Sequence, residues 1–341
     1  MSSSPKAAAT EVGVVGAGSW GTTLALLLHE KGHRVRVWSH DEGVVEEVRR
    51  HGENRSYLPG VPVPEELPVS SDLPSVVGPA EVVLSVSPSQ FVAQVMEGAR
   101  GHFREDVQVV SASKGIEVRT LRRMDQVFEE FLTNEQQERF TVLSGPSFAG
   151  EVARKHPTAV AVASRSPEAQ AAAQRLFQTE EFRVYTNDDV LGVELGGALK
   201  NVIALAAGVA SGLGFGHNTL AALITRGLAE ITRLGVVMGA RAETFAGLAG
   251  MGDLLLTCTG AESRNRTVGY RLGRGESLEA ILGDMKAVAE GVRTAPAVRE
   301  LAVRHGVEMP ISFEVYAILE KGRDPREAVK NLMLREPKAE H

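Results

Sequence analysis

The stretch Glu11–Gly21, EVGVVGAGSWG, decides the fold. Val12, Val14 and Val15 form the short apolar run of a strand buried in a parallel sheet. Gly16, Gly18 and Gly21 follow as G-x-G-x-x-G. Thr22–Glu30 (TTLALLLHE) has helical composition, Gly32 ends it, and His33–Trp38 (HRVRVW) reads as a second strand. In such a unit the first glycine permits the tight turn, the second lets a pyrophosphate approach the backbone, and the third lets helix and strand pack closely. The helix N-terminus then offers free N–H groups and partial positive charge to the phosphates. A glycine-rich turn without a ligand is the alternative, but the strand–turn–helix–strand context makes this a dinucleotide fingerprint.

The end of the second strand bears on which nucleotide is held. An NAD-specific site usually has an acid there to accept from the ribose 2′-OH. Here Ser39 and His40 come first, and Asp41 is two residues late. A hydroxyl and an imidazole suit a 2′-phosphate, so the expected cofactor is NADP or NAD, with NADPH favoured. A Ser-His pair is also an ordinary loop.

With 341 residues the chain has room for two domains. Its 43% hydrophobic and 23% charged content are those of a globular protein. A net charge of −6 gives no basic tract for nucleic acid. One cysteine, Cys258, rules out intramolecular disulfides and a cysteine metal site and fits a cytoplasmic location. The nine histidines show no ligand spacing, so no metal is expected. Residues 1–10 read as a disordered lead and 336–341 as a frayed tail. Strand and helix signals alternate from 11 to 189. Strands are expected at 80–87, 107–112, 158–163 and 182–185, with helices over 120–131 and 167–178. From 190 to 335 only helices are expected, at 195–213, 219–235, 278–282, 296–305, 311–320 and 325–332. The fold class is therefore an α/β Rossmann-type doubly wound sheet followed by an all-α domain.

Lys200 stands inside the most apolar segment, Val190–Leu213 (VLGVELGGALKNVIALAAGVASGL). The run is long enough to raise a membrane span, but Glu194, Lys200 and its glycines point to a buried bundle helix. An ammonium there loses hydration and its pKa tends downward unless an acid partners it. That suits proton transfer near neutral pH; snorkelling or a structural ion pair is the other reading. Ligands in open parallel sheets lie beyond the strands' carboxyl ends. VSPSQ (86–90), SASKG (111–115) and SGPSFA (144–149) occupy that edge. Lys114 either faces the crevice or is a plain loop lysine. GMGD (250–253) and ESRNR (262–266) form a second constellation, in which Arg264 and Asn265 beside Ser263 offer donors suited to phosphate, or a solvated loop. Glu290 in AEG (289–291) is either an acceptor for a ribose or amide, or a capping acid.

Taken in order, GAGSWG, SPSQ, SKG, SGPSFA, the helix bearing Leu199-Lys200-Asn201, GMGDLLLTC and SRNR resemble bacterial-type NAD(P)-dependent sn-glycerol-3-phosphate dehydrogenase, from Val12 to Leu332. The first position of SPSQ departs from the family's usual V-P-S-Q. The resemblance implies reversible hydride transfer between NAD(P)H and dihydroxyacetone phosphate, giving glycerol phosphate for phospholipid synthesis, in a cytoplasmic homodimer. It implies that Lys200 is the general acid/base, with Lys114 and Asp253 in the catalytic group. Gly145, Ser147, Ser263, Arg264 and Asn265, with those three, would hold the phosphate substrate. Ser19, Trp20, His40, Tyr57, Lys114, Ala149, Arg264, Val288 and Glu290 would meet the cofactor beside Gly16, Gly18 and Gly21. Two rivals share the plan: a reductase of another small keto or hydroxy acid, and a nonenzymatic NADP-binding sensor.

Overall fold

In the computed structural model the chain is described over residues 9–285, 288–337 and 339–340. Most of the expected disordered lead, residues 1–8, lies outside these. Eight strands build one sheet: β1 (Glu11–Val15), β2 (Arg34–Trp38), β3 (Val69–Ser70), β4 (Val82–Ser85), β5 (Gln108–Ser111), β6 (Thr141–Ser144), β7 (Thr158–Ser164) and β8 (Phe182–Asn187). Their order is β3-β2-β1-β4-β5-β6-β7-β8. Every pairing is parallel except β6 with β7. The central strands are apolar on both faces because helices cover both. Val12, Val14, Leu84 and Val110 pack on one side, and Val15, Val83, Val109 and Val142 on the other.

The covering helices are α1 (Ser19–Glu30), α2 (Glu42–His51), α3 (Leu73–Val77), α4 (Val92–Ala99), α5 (Met124–Phe128), α6 (Asn134–Glu138), α7 (Ala149–Ala153) and α8 (Pro167–Phe177). The helix expected over 120–131 shrinks to α5. Leu121 takes a left-handed φ of 62°, and Thr120 and Arg122 are tied to Glu117 in the turn before it. The proline-rich connection 54–74 holds β3 and leads into α3.

After β8 the described residues form only helices: α9 (Val190–Gly212), α10 (His217–Val237), α11 (Ala242–Ala246), a π turn (Leu248–Gly252), α12 (Asp253–Thr259), α13 (Arg264–Gly273), α14 (Leu278–Gly283), α15 (Glu290–Arg304), α16 (Pro310–Lys321) and α17 (Pro325–Met333). This is the expected sheet-then-helices class. A further expectation on detail fails. Pro296 does not start α15 but lies inside it, where Ala295, Ala297 and Val298 are buried and packing outweighs the lost backbone bond. The helices α12 and α13 have no strong apolar periodicity to announce them.

The central helix α9 is long and apolar enough to cross a membrane by composition, yet 94% of its most apolar window is buried inside the protein. Glycines let it lie that deep. A Cβ on Gly208 would run into Arg266 O of α13, and one on Gly212 into Tyr270 O. From the other side, a Cβ on Gly269 would strike Leu205 O, and one on Gly273 would lie 2.5 Å from Val209 O. Two G-x-x-x-G faces therefore meet backbone to backbone, the close approach small residues allow.

Gly208→Ala forces that contact apart. It is expected to lower unfolding free energy by about 1–3 kcal/mol despite alanine's better helix propensity. Gly283→Ala is the control, because a Cβ at that α14 position meets nothing within 4 Å. It should be neutral or stabilising by up to about 1 kcal/mol. Denaturant unfolding of both variants checks the pair.

Candidate active site

The β1–α1 turn has the form a dinucleotide needs. Gly16 sits at φ 124°, a conformation side chains rarely adopt. A Cβ on Gly21 would run into Gly16 O, so only glycine lets α1 start there. A Cβ on Gly18 would meet nothing within 4 Å, which leaves open space where a pyrophosphate would approach. The first turn of α1, from Ser19 and Trp20, carries no acid to oppose an anion. Asn54, which sequence reasoning passed over, holds the turn from behind. Its buried amide donates to Ala17 O (2.8 Å) and Thr22 Oγ1 (2.9 Å). Tyr57 donates its N–H to Asn54 Oδ1, and Ala149 O accepts from Thr23 Oγ1 of α1 at 3.1 Å.

At the end of β2 the hydroxyl of Ser39 is turned inward. It is 4% exposed and donates to Asp41 O, while the Asp41 carboxylate caps α2 through Gly43 N. His40 is exposed. Of the pair read for a ribose phosphate, His40 is the free one.

The sheet edge and the helical region meet at Asp253, 1% exposed at the start of α12. Its Oδ1 accepts from Lys200 Nζ at 2.6 Å and its Oδ2 from Lys114 Nζ at 2.8 Å. Lys114 also donates to Gly145 O at 3.1 Å, and Lys200 to Thr257 Oγ1 at 2.7 Å. Burial alone raises the Asp253 carboxyl, but the two lysines outweigh it and hold it below the usual carboxylate range. Burial lowers Lys200 to about 8, with Asp253 pulling it up and Lys114 pushing it down. Neighbouring Cys258 is inert, its buried thiol pushed up to about 12.

Close approaches make this convergence possible. Gly145 is at φ 140° and packs on Val160. A Cβ on Gly197 of α9 would lie 2.8 Å from Ser144 Oγ and 3.5 Å from Lys114 Cγ. The π turn brings Gly252 against Pro146. Ser147 Oγ donates to Gly145 O at 3.1 Å, fixing the turn that faces the lysines.

The second constellation is the N-terminus of α13, not a free loop. Ser263 caps it by accepting from Arg266 N, Arg264 is exposed on the first turn, and Asn265 is buried. Asn265 donates to Asn201 Oδ1 (2.9 Å), next to Lys200, and accepts from Gly291 N (2.9 Å). Glu290 accepts from Ser89 N at 3.0 Å. Burial raises its carboxyl, and the Ser89 N–H, Arg264 and Lys200 oppose that rise. Pro88–Phe91 lie against Val288, Glu290 and Arg293. Lys114, Gly145, Lys200 and Asp253 are thus joined by direct hydrogen bonds, and Asn265 reaches α9 at Asn201, beside Lys200. His40 follows β2, and Tyr57 lies beside Asn54 under the Gly16–Gly21 turn.

Thr257 and Asn201 are additions that sequence reasoning did not single out. The i, i+4 spacing of Asp253 and Thr257 was the available signal.

Comparison with known proteins agrees with this geometry. Residues 11–170 match the NAD-dependent glycerol-3-phosphate dehydrogenase N-terminus, and residues 189–330 its C-terminus. A Geobacter sulfurreducens protein named glycerol-3-phosphate dehydrogenase [NAD(P)+] is 55% identical over 329 residues, 96% of this chain and 98% of that one. A Myxococcus xanthus protein of the same name is 49% identical over 327 residues, covering 96% and 98%. The crystal structure of a glycerol-3-phosphate dehydrogenase from Coxiella burnetii superposes with a TM-score of 0.92 at 39% identity, covering 96% of this chain and 99% of that one. Two lysines on one buried carboxylate, set between a dinucleotide turn and a helical domain, thus belong to a chain of the NAD-dependent glycerol-3-phosphate dehydrogenase family.

Proposed function

We propose that this chain reduces dihydroxyacetone phosphate to sn-glycerol 3-phosphate with NAD(P)H, reversibly. The observation that carries the chemistry is Asp253 bridging Lys114 and Lys200 at 2.8 and 2.6 Å. The region 11–189 is taken as the cofactor-binding domain and 190–335 as the substrate and catalytic domain.

The nucleotide would lie along Gly16, Gly18, Ser19, Trp20 and Gly21, with His40 and Tyr57 at its adenosine end and Ala149, Val288 and Glu290 further along. When bound, it supplies a hydride to C2 of the ketone. The chain's own residues do the rest. Arg264 and the α13 N-terminus hold the phosphate dianion, joined by Ser263 and Asn265. That contact fixes C2 in the crevice and makes the reaction an oriented one. Negative charge growing on the C2 oxygen is met by Lys114 and Lys200, and Lys200 delivers the proton. Asp253 keeps both ammoniums in place, and Thr257 fixes the direction of Lys200. Gly145 and Ser147 shape the wall that receives the glycerol carbons.

His40, exposed past β2 where the Asp41 carboxylate is engaged in capping α2, supports use of NADPH at least as readily as NADH. Family resemblance supports a homodimer feeding phospholipid synthesis, and the single buried thiol fits a cytoplasmic setting. Absorbance assays of NADPH and NADH oxidation with dihydroxyacetone phosphate test the activity directly. No turnover with either nucleotide overturns it.

Lys200→Ala should lower kcat by at least ~100-fold with a smaller change in substrate affinity, as for a lost general acid. A folded variant with near-parental kcat would remove Lys200 from the chemistry. The pH dependence has a sign. Reduction needs protonated Lys200, so its rate should hold below about 8 and fall as pH rises through that value. Oxidation of glycerol phosphate needs the neutral amine and should rise through the same range. Arg264→Ala should lower kcat/KM for dihydroxyacetone phosphate about 10- to 100-fold, mainly through KM, since a charge-assisted contact contributes about 1.5–3 kcal/mol. Inorganic phosphate should compete with substrate in the parent and less in this variant.

A further inference from the structure

We propose that Gln90 is a positioning residue for Lys114, clamping the turn after β5 so that the lysine stays on Asp253. Gln90 lies in the short turn Ser89–Phe91 after β4, one strand from β5. Its Nε2 donates to Ile116 O at 2.6 Å and to Ser89 Oγ at 3.2 Å. Its Oε1 accepts from Val118 N at 3.0 Å. The side chain thus closes two backbone hydrogen bonds on the segment beginning two residues past Lys114. Ser113, on the other side of Lys114, donates to Ser87 O at 2.6 Å. Lys114 is held from before and behind by the β4 turn. That turn is itself anchored to the helical region, since Ser89 N donates to Glu290 Oε1.

The need for such a clamp follows from the rest of the segment. The chain from Gly115 to Arg123 forms no helix or strand, includes Leu121 at φ 62°, and must return to α5. A lysine at the start of so irregular a run has no ladder to fix it. Its ammonium must nevertheless meet Asp253 Oδ2 and Gly145 O together. Gln90 supplies the missing restraint, and both ends of its amide are spent on backbone.

This inference rests on the proposed activity, and its consequence reaches Lys200. The charged and titratable groups around Lys200 are Asp253 and Cys258 on α12, Lys114 after β5 and Glu290 on α15. If Lys114 swings away, Lys200 loses a repelling cation and gains a larger share of Asp253. Both changes raise its pKa.

The test is Gln90→Met, of similar length without hydrogen bonds, beside Gln170→Met as control. Gln170 is equally half-buried and donates to Ser164 O at 2.6 Å on the far edge of β7. Gln90→Met is expected to lower kcat for dihydroxyacetone phosphate about 10- to 100-fold, the scale of a small misplacement in an active site. The alkaline limb of the reduction profile should move up by about 1 unit, the scale of a lost neighbouring charge. Gln170→Met should change melting temperature and leave the limb in place. Gln90→Glu keeps the acceptor for Val118 N, is the milder change should Gln90→Met not fold, and should move the limb the same way. An unmoved limb in the folded Gln90 variants, or an equal move in Gln170→Met, overturns the clamp. Side-chain nitrogen NMR of Lys200, read without substrate, must show the same upward titration shift. An inactive parent would refute the activity while this titration still decides the clamp.

Discussion

Asp253 is a buried carboxylate with a lysine on each oxygen, and the rest of the molecule can be read as what that arrangement requires. Withdrawing one carboxylate and two ammoniums from water costs several kcal/mol per ion. The cost is offset only where each partner's hydrogen bonds are satisfied, as Thr257, Gly145 O and the two lysines do here. Ionised throughout, the cluster keeps one positive charge in excess. A dianionic ketone phosphate needs that field, and a neutral, fully matched ion pair would not provide it. Lys200 near 8 is the compromise. It is charged for much of the time at neutral pH, yet its proton leaves more readily than an ordinary lysine's.

The three groups come from three places: the carboxyl edge of β5, the middle of α9 and the start of α12. Bringing them together demands unusual packing of backbone. Gly197 lets α9 lie against Ser144 and the stem of Lys114, and Gly196 lets it lie 2.5 Å, measured from a would-be Cβ, from Ala249 O in the π turn. Gly208 and Gly212 seat α13 on the same helix, which sets Asn265 beside Asn201 and so aims Arg264 near Glu290. The membrane-like composition of α9 therefore has a local cause. A helix surrounded on all sides by other helices and a sheet leaves few places for polar residues: Lys200 and Asn201 at the site, and Glu194, which accepts from Asp125 N.

What could be read from the sequence is what is local. The Gly16-Gly18-Gly21 turn, the strands flanking it and the apolar α9 carry their signals within a dozen residues. The motifs at the strand ends lie on the crevice because the parallel sheet puts them there. Other features depend on distant partners. Nothing near Ser39 reveals that its hydroxyl folds back onto Asp41 O, whereas His40 stays exposed. The polar RNRTVGYRLG run hides α13, because its buried face carries only Val268 and Leu272 as large apolar residues, beside the glycines that fit against α9. Pro296 looks like a helix start, yet packing carries α15 through it. Thr257 and Asn201 gain meaning only once Asp253 and Asn265 are seen beside Lys200.

Fold alone does not choose the substrate. One fold hosts many chemistries, and the site decides among them. In the proposed reading the choice is made by charge at a helix terminus. The start of α13 presents a capped first turn, an exposed guanidinium and a buried amide locked to Asn201, with no acid in that turn. Glu290, across from that turn, is occupied by Ser89 N and has its carboxyl raised by burial, so it opposes a phosphate less than a free carboxylate would. A small keto acid with a single carboxylate could use the lysines, but it would leave Arg264 and the helix terminus without the second charge their fork and dipole are placed to meet. A nucleotide sensor without turnover would have no use for two ammoniums on one buried carboxylate, a costly arrangement that a reaction generating an oxyanion explains.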